Sequence, residues 1–109
     1  MKASEFNGDL NLLKSEIEKE TQYEFEHGKD CLGDSVLRLI GLNKKAEIIL
    51  RFSKLYSGDE VICVDGSSTY GDYFGFGSPC GILGQVIDNI NRYAPQYGYK
   101  AKNKQMAFI

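Results

Sequence analysis

Residues 60–84, EVICVDGSSTYGDYFGFGSPCGILG, decide the fold predicted for this chain. The apolar run at 61–64 is typical of a buried strand. Five glycines and four aromatic residues follow between positions 66 and 81. Ser78 and Pro79 then precede a segment with apolar periodicity, as at the start of a helix. A strand, a glycine-aromatic loop and a helix N-terminus in succession predict a binding site in the loop.

Four segments have the apolar spacing of amphipathic helices: 9–20, 30–42, 44–56, and a segment that follows Ser78 and must end before Pro95. In the first segment Leu10, Leu13 and Ile17 recur at helical spacing. Asn7 or Asp9 is the expected capping residue. Gly41 and Asn43 are typical of the end of the second helix.

The segment 44–56 also allows a strand, because Ile48, Leu50 and Phe52 alternate along it. A helix accounts for more of its residues, since one helical face collects Ile48, Ile49, Phe52, Leu55 and Tyr56. Glu47 and Arg51 then form a favourable i, i+4 pair on the opposite face. We therefore predict a helix here and keep the strand as the alternative.

Two to four strands complete the prediction. Residues 60–65 form the clearest strand, and 70–76 form the return arm of a hairpin that turns at 66–68. Residues 97–109 alternate lysines with uncharged residues and end in an apolar stretch. This pattern indicates a strand whose first half is exposed to solvent and whose C-terminal end is buried. The expected fold is α+β: a single small domain over residues 1–109, with about four helices packed on a short sheet of two to four strands.

Composition indicates a cytoplasmic protein that does not enter membranes. Of the 109 residues, 42% are hydrophobic and 26% are charged, as is usual for globular proteins. No apolar run approaches the roughly 20 residues needed to span a bilayer. The N-terminus has no hydrophobic segment typical of a secretory signal. Three widely spaced cysteines make a poor disulfide framework and favour reduced thiols.

The sequence predicts neither a metal site nor a cofactor. It has one histidine, His27, and no CxxC pair, so the zinc signatures are absent. The segment after Asp65 lacks the acidic spacing of a calcium-binding EF-hand loop. Its glycines match neither the Walker pattern nor GxGxxG between a strand and a helix. Asp65 is the best-placed carboxylate, although an Asp-Gly pair more often begins a turn.

Cys80 carries the first alternative function, a small Cys80-dependent enzyme or thiol switch. A thiol beside a helix N-terminus has a lowered pKa, which favours the nucleophilic thiolate. The available base is His27, which lies among carboxylates that favour its protonated form. Because this pairing is poor, we interpret Cys80 as a small buried hydrophobic residue and assign no catalytic residue.

The second alternative is an RNA- or DNA-binding module formed by the C-terminal strand. Aromatic and basic residues alternate there: Tyr97, Tyr99, Lys100, Lys102 and Lys104. Such a pattern resembles surfaces that stack bases and contact phosphates. A net charge of −2 opposes nonspecific attraction to a polyanion, so nucleic acid is the less favoured partner.

The favoured function is a small acidic protein-interaction module. Residues 1–34 contain four lysines and nine carboxylates, which would attract a basic protein. Aromatic residues on a glycine-rich loop serve as interface anchors. An immunity-type or inhibitor protein that occludes a basic, nuclease-like partner fits this composition. The predicted partner-binding residues are Tyr70, Asp72, Tyr73, Phe74, Phe76, Glu20, Glu24 and Glu26.

Overall fold

The computed structural model describes residues 1–41, 46–68 and 75–99. Five strands form one antiparallel sheet in which spatial order equals chain order, so each strand pairs with the next. The strands are β1 (Phe25–Lys29), β2 (Ser35–Leu39), β3 (Ala46–Lys54), β4 (Glu60–Ser68) and β5 (Gly75–Cys80). The helices are α1 (Leu10–Glu20) and α2 (Leu83–Tyr93), with short 3₁₀ helices at Ala3–Phe6 and Pro95–Tyr97.

The first predicted helix is confirmed, with Asp9 as its cap. The Asp9 Oδ1 atom accepts the backbone N–H groups of Asn11 at 2.9 Å and Leu12 at 3.2 Å. These bonds satisfy amides that an isolated helix start leaves without partners. Leu13 and Ile17 are fully buried against the sheet. Helix α1 therefore forms from local signals and is held by its apolar face.

The sheet has two unlike faces because side chains alternate along every strand. One face carries buried apolar residues, among them Leu37, Leu50 and Ile62, and both helices pack on it to form the hydrophobic core. We call the opposite face the outer face. Its side chains include Glu26, Val36, Arg38, Glu47, Ile49, Arg51, Val61, Cys63 and Asp65.

The predicted fold of about four helices on a sheet of two to four strands is wrong. The described residues contain five antiparallel strands and two α-helices. The predicted helix at 30–42 is a turn followed by β2. Asp30 closes that turn, because its N–H donates to the Asp34 carbonyl at 2.9 Å, and Gly33 takes a positive φ of 87°. Strand β2 then lies between β1 and β3, where its backbone groups find partners on both sides.

The predicted helix at 44–56 is also wrong, and the strand alternative is correct. Ile48 and Leu50 of β3 are fully buried on the core face, two residues apart. Tyr56, which the helical reading placed with the apolar face, is fully exposed in the turn after β3. Gly58 closes this turn at φ 89°, and its N–H donates to the Leu55 carbonyl at 2.9 Å. Strand β3 pairs with both β2 and β4. This pairing explains why its apolar residues alternate as in a strand and do not follow helical spacing.

Ser78 and Pro79 do not start a helix. Both lie in β5, an edge strand, where proline is tolerated because its missing N–H leaves no ladder bond unmade. Helix α2 begins at Leu83 and ends at Tyr93, so the predicted stop before Pro95 is confirmed. The predicted turn at 66–68 is wrong, since β4 continues to Ser68. The hairpin arm predicted at 70–76 overlaps β5 at residues 75 and 76, and its remainder falls outside the described residues.

The strand predicted at 97–109 is not found where the structure describes the chain. Tyr97 ends a 3₁₀ helix, and Gly98 follows at φ 86°. Residues 100–109 lie outside the described residues. Within the described ranges the longest helices have 11 residues each, and none is long and apolar enough to cross a membrane.

Candidate functional site

The outer face carries two arginines, and the first is Arg38 on β2. Its Nε lies 3.3 Å from Glu47 Oε2 on β3, and its Nη2 donates to the Lys29 carbonyl at 3.3 Å. The guanidinium lies across Gly28 of β1. A side chain at position 28 would overlap Arg38, so glycine is what lets the arginine lie flat on the sheet.

The second arginine, Arg51 on β3, lies between two carboxylates. Its Nη1 is 3.6 Å from Asp30 Oδ2, and its Nη2 is 3.0 Å from Asp65 Oδ2. Asp65 comes from the neighbouring strand β4, and Asp30 comes from the turn between β1 and β2. We call these three residues the Arg51 cluster. It contains one cation and two carboxylates, and therefore has an excess of negative charge.

Both carboxylates of the Arg51 cluster have a buried oxygen that accepts no hydrogen bond from the described residues: Asp30 Oδ2 and Asp65 Oδ2. The N–H bonds of Arg51 are not directed at these oxygens, although its nitrogens are within ion-pair distance. Asp30 Oδ1, in contrast, accepts the N–H groups of Leu32 and Asp34, each at 2.9 Å. Arg51 compensates both charges at 3.6 and 3.0 Å, and each Oδ2 atom keeps the capacity to accept a hydrogen bond.

Cys63 lies opposite Arg51 in the β3–β4 register and senses the charge of the cluster. Burial is the main cause that raises the pKa of the Cys63 thiol, and the Asp65 carboxylate raises it further. Arg51 lowers the same pKa, but by less than Asp65 raises it. Burial and the Asp65 charge therefore both favour the protonated form of the thiol.

Two valines of the outer face are buried. Val36 is 0% exposed and Val61 is 4% exposed, yet neither belongs to the main core cluster. The cover over them comes from the outer-face side, because strand alternation points them away from the helices. The outer face thus contains buried apolar residues as well as charged ones.

The three predicted partner-binding glutamates are all exposed, but their positions differ. Glu26 lies on the outer face, opposite Arg38 in the β1–β2 register. Glu20 is the last residue of α1, and Glu24 precedes β1. The structure therefore brings one of the three, Glu26, to the outer face beside an arginine.

Most of the predicted contact residues of the glycine-aromatic loop lie outside the described residues. Tyr70, Asp72, Tyr73 and Phe74 fall outside the described residues. Phe76 pairs with Gly66 in the β4–β5 ladder, and its side chain lies outside what is described. The assignment of these five residues to a contact surface stays a prediction.

Sequence reasoning missed Arg51 as a site residue, since it assigned the residue to a helix, and it included Asp30 only among the carboxylates of residues 16–34. Asp65 alone was singled out, as a carboxylate near the end of a strand. The signal that identifies Arg51 is the alternation of Glu47, Ile49 and Arg51 between buried residues. Residues two positions apart share one face only in a strand, so this alternation places Arg51 on the outer face only if the segment is a strand.

The premise for a reactive Cys80 does not hold. Cys80 lies in β5 and is 1% exposed, and burial is the main cause that raises its pKa. Helix α2 begins three residues later, so no helix N-terminus adjoins the thiol. His27 Nε2 contacts Asn11 Oδ1 at 2.8 Å. Strands β1 and β5 are opposite edges of the sheet, about 19 Å apart at the usual strand spacing, so His27 and Cys80 cannot pair.

The aromatic residues predicted to bind nucleic acid are not available for it, because Tyr97 and Tyr99 are buried and cannot stack on bases. Its three lysines, Lys100, Lys102 and Lys104, lie outside the described residues. Among the described side chains, no group of three His, Cys, Asp or Glu residues is placed to hold a metal ion. Comparison of the chain with protein-family models, curated proteins and solved structures found no match.

Proposed function

We propose that this protein acts by contact and binds a basic protein partner on its outer face. The observation that carries the proposal is the excess of carboxylates on that face. Among the described residues, two arginines stand there with four carboxylates, Glu26, Glu47, Asp65 and the adjoining Asp30. Both α-helices pack on the opposite, core face of the sheet.

Charge favours a basic partner for two reasons. An acidic face attracts a basic surface during diffusion, and it rejects acidic proteins. A nuclease-like partner fits because enzymes that bind nucleic acid have basic surfaces for phosphates. Covering such a surface would make this protein an inhibitor or immunity-type protein.

The segment 69–74 is part of the proposed contact surface on the ground of its sequence. Tyr70, Asp72, Tyr73 and Phe74 directly follow β4, the strand that carries Asp65. Aromatic side chains next to a charged face would supply the apolar contacts that most interfaces need at their centre. A cytoplasmic location belongs to the proposal as well, because the three cysteines form no disulfide.

A charge-reversal pair tests the proposal. Immobilised wild-type protein would capture basic partners from an extract, and the dissociation constant of each identified partner would be measured by calorimetry. Glu26→Lys on the outer face should weaken binding by about tenfold or more and reduce the association rate. Asp88→Lys, an equal charge change at an exposed position of α2, should change it by less than about twofold.

Equal affinities of the two variants would contradict the proposal, and so would capture of acidic proteins alone. If the captured partner is a nuclease, adding the purified protein should inhibit its activity. Glu26→Lys should inhibit less at the same concentration, whereas Asp88→Lys should inhibit like the wild type.

A further inference from the structure

We infer that the Arg51 cluster is a receiving site for one arginine side chain of the partner. The inference rests on the proposed function, because it takes the outer face as the contact surface. It adds the chemistry of recognition: a guanidinium group that donates to Asp30 Oδ2 and Asp65 Oδ2, the two buried oxygens without hydrogen-bond donors among the described residues.

The first argument is charge balance. One guanidinium, that of Arg51, lies between two carboxylates. A second cation at this place would pair every charge in the cluster. The pKa of Cys63 is consistent with an excess of negative charge. The Asp65 carboxylate raises this pKa by more than Arg51 lowers it.

The second argument is the fixed position of Asp30. Its side chain is 7% exposed, and its Oδ1 is held by the Leu32 and Asp34 amides at 2.9 Å each. Oδ2 therefore cannot turn outward to reach bulk water without breaking both bonds. An acceptor held in this way, without a donor of its own, is preorganised for an incoming N–H group.

The third argument is access. Arg51 is 41% exposed and Asp65 is 27% exposed, so the cluster is open to solvent at these two side chains. A second guanidinium that approaches from this side leaves Arg51 in place, so that two cations then pair with the two carboxylates. Arginine suits the site better than lysine because its planar fork presents several donors, so one side chain can serve oxygens from two different carboxylates.

A titration with N-acetylarginine amide tests the site directly. Amide chemical shifts of ¹⁵N-labelled protein would be followed at Asp30, Arg51, Cys63 and Asp65. Saturable shifts at these residues are expected with the wild type. N-acetylcitrulline amide, which has the same shape without the charge, should bind at least about tenfold more weakly.

Two variants should shift the affinity of the probe in opposite directions. Asp65→Asn keeps the shape of the side chain and should weaken binding by about tenfold, because it removes one of the two acceptor charges. Arg51→Gln should strengthen binding, because it removes the competing cation. A dispersed amide spectrum of each variant verifies that it folds.

Absence of saturable shifts in both the wild type and Arg51→Gln would overturn the inference. Equal binding of N-acetyllysine amide would overturn the assignment to a guanidinium. The outcomes separate this site from the proposed function. If the probe fails while Glu26→Lys still weakens a partner, only the arginine site is lost. If the probe binds and no basic partner responds to Glu26→Lys, the proposed function is lost.

Discussion

Gly41 leaves no room for a side chain. A Cβ atom at this position would overlap the ring of Tyr99. That ring cannot easily move, because it is buried and its hydroxyl donates to the Ala46 carbonyl at 3.0 Å. Gly41→Ala should therefore lower the free energy of unfolding by about 1–3 kcal/mol, as overpacking of a core does. Urea denaturation followed by circular dichroism measures the change.

Gly81→Ala is the matched control. Nothing lies within 4 Å of a Cβ atom at Gly81, so the change should be neutral or stabilise the protein by up to about 1 kcal/mol. Equal losses in the two variants would show that backbone freedom, and not the Tyr99 ring, determines the effect. The sequence predicted Gly41 only as the end of a helix. Its contact with Tyr99 could not be predicted, because the two residues are 58 positions apart in the chain.

Strand β3 is the element in which local and tertiary signals disagree, and two truncations distinguish them. Leu50 is fully buried on the core face, whereas Tyr56 is fully exposed in the following turn. Leu50→Ala should lower the free energy of unfolding by about 2–5 kcal/mol through the lost contacts and the cavity. Tyr56→Ala should change it by less than about 0.5 kcal/mol. Chemical denaturation of both variants supplies the comparison.

A helix over the same residues predicts a different result, since Tyr56 would then share the buried face with Ile49 and Phe52. A large loss for Tyr56→Ala together with a small one for Leu50→Ala would therefore refute β3 as described. Helices α1 and α2 differ from β3 in this respect. The start of α1 at its Asp9 cap and the end of α2 before Pro95 depend on neighbouring residues, and for that reason both were predicted correctly.

The whole molecule should become less stable in alkali. Burial raises the pKa of Tyr23, Tyr97 and Tyr99 above 10.0, and it is the main cause that raises those of Cys63 and Cys80 above 9.0. The folded protein therefore binds these protons more tightly than the unfolded chain does. Their contribution to stability is fully present below about pH 9 and is lost as the pH rises through the folded-state values.

Urea denaturation at intervals from pH 7 to pH 11 should show the free energy of unfolding falling above about pH 9. Tyr23→Phe, which removes one titrating group and keeps the ring, should make the decline above pH 10 less steep. A free energy that stays constant up to pH 11 would disprove this account. So would a decline of the same steepness in Tyr23→Phe.

The sequence alone determined the features that depend on near neighbours: the cap and apolar face of α1, the apolar strand that begins β4, the end of α2, and the acidic balance of the first 34 residues. Tertiary structure decided that β2 and β3 are strands, because their backbone groups are satisfied by other strands and not by their own segment. It also decided the Arg51 cluster. Asp30, Arg51 and Asp65 are far apart in the chain, and only the antiparallel register and the β1–β2 turn bring their charges together.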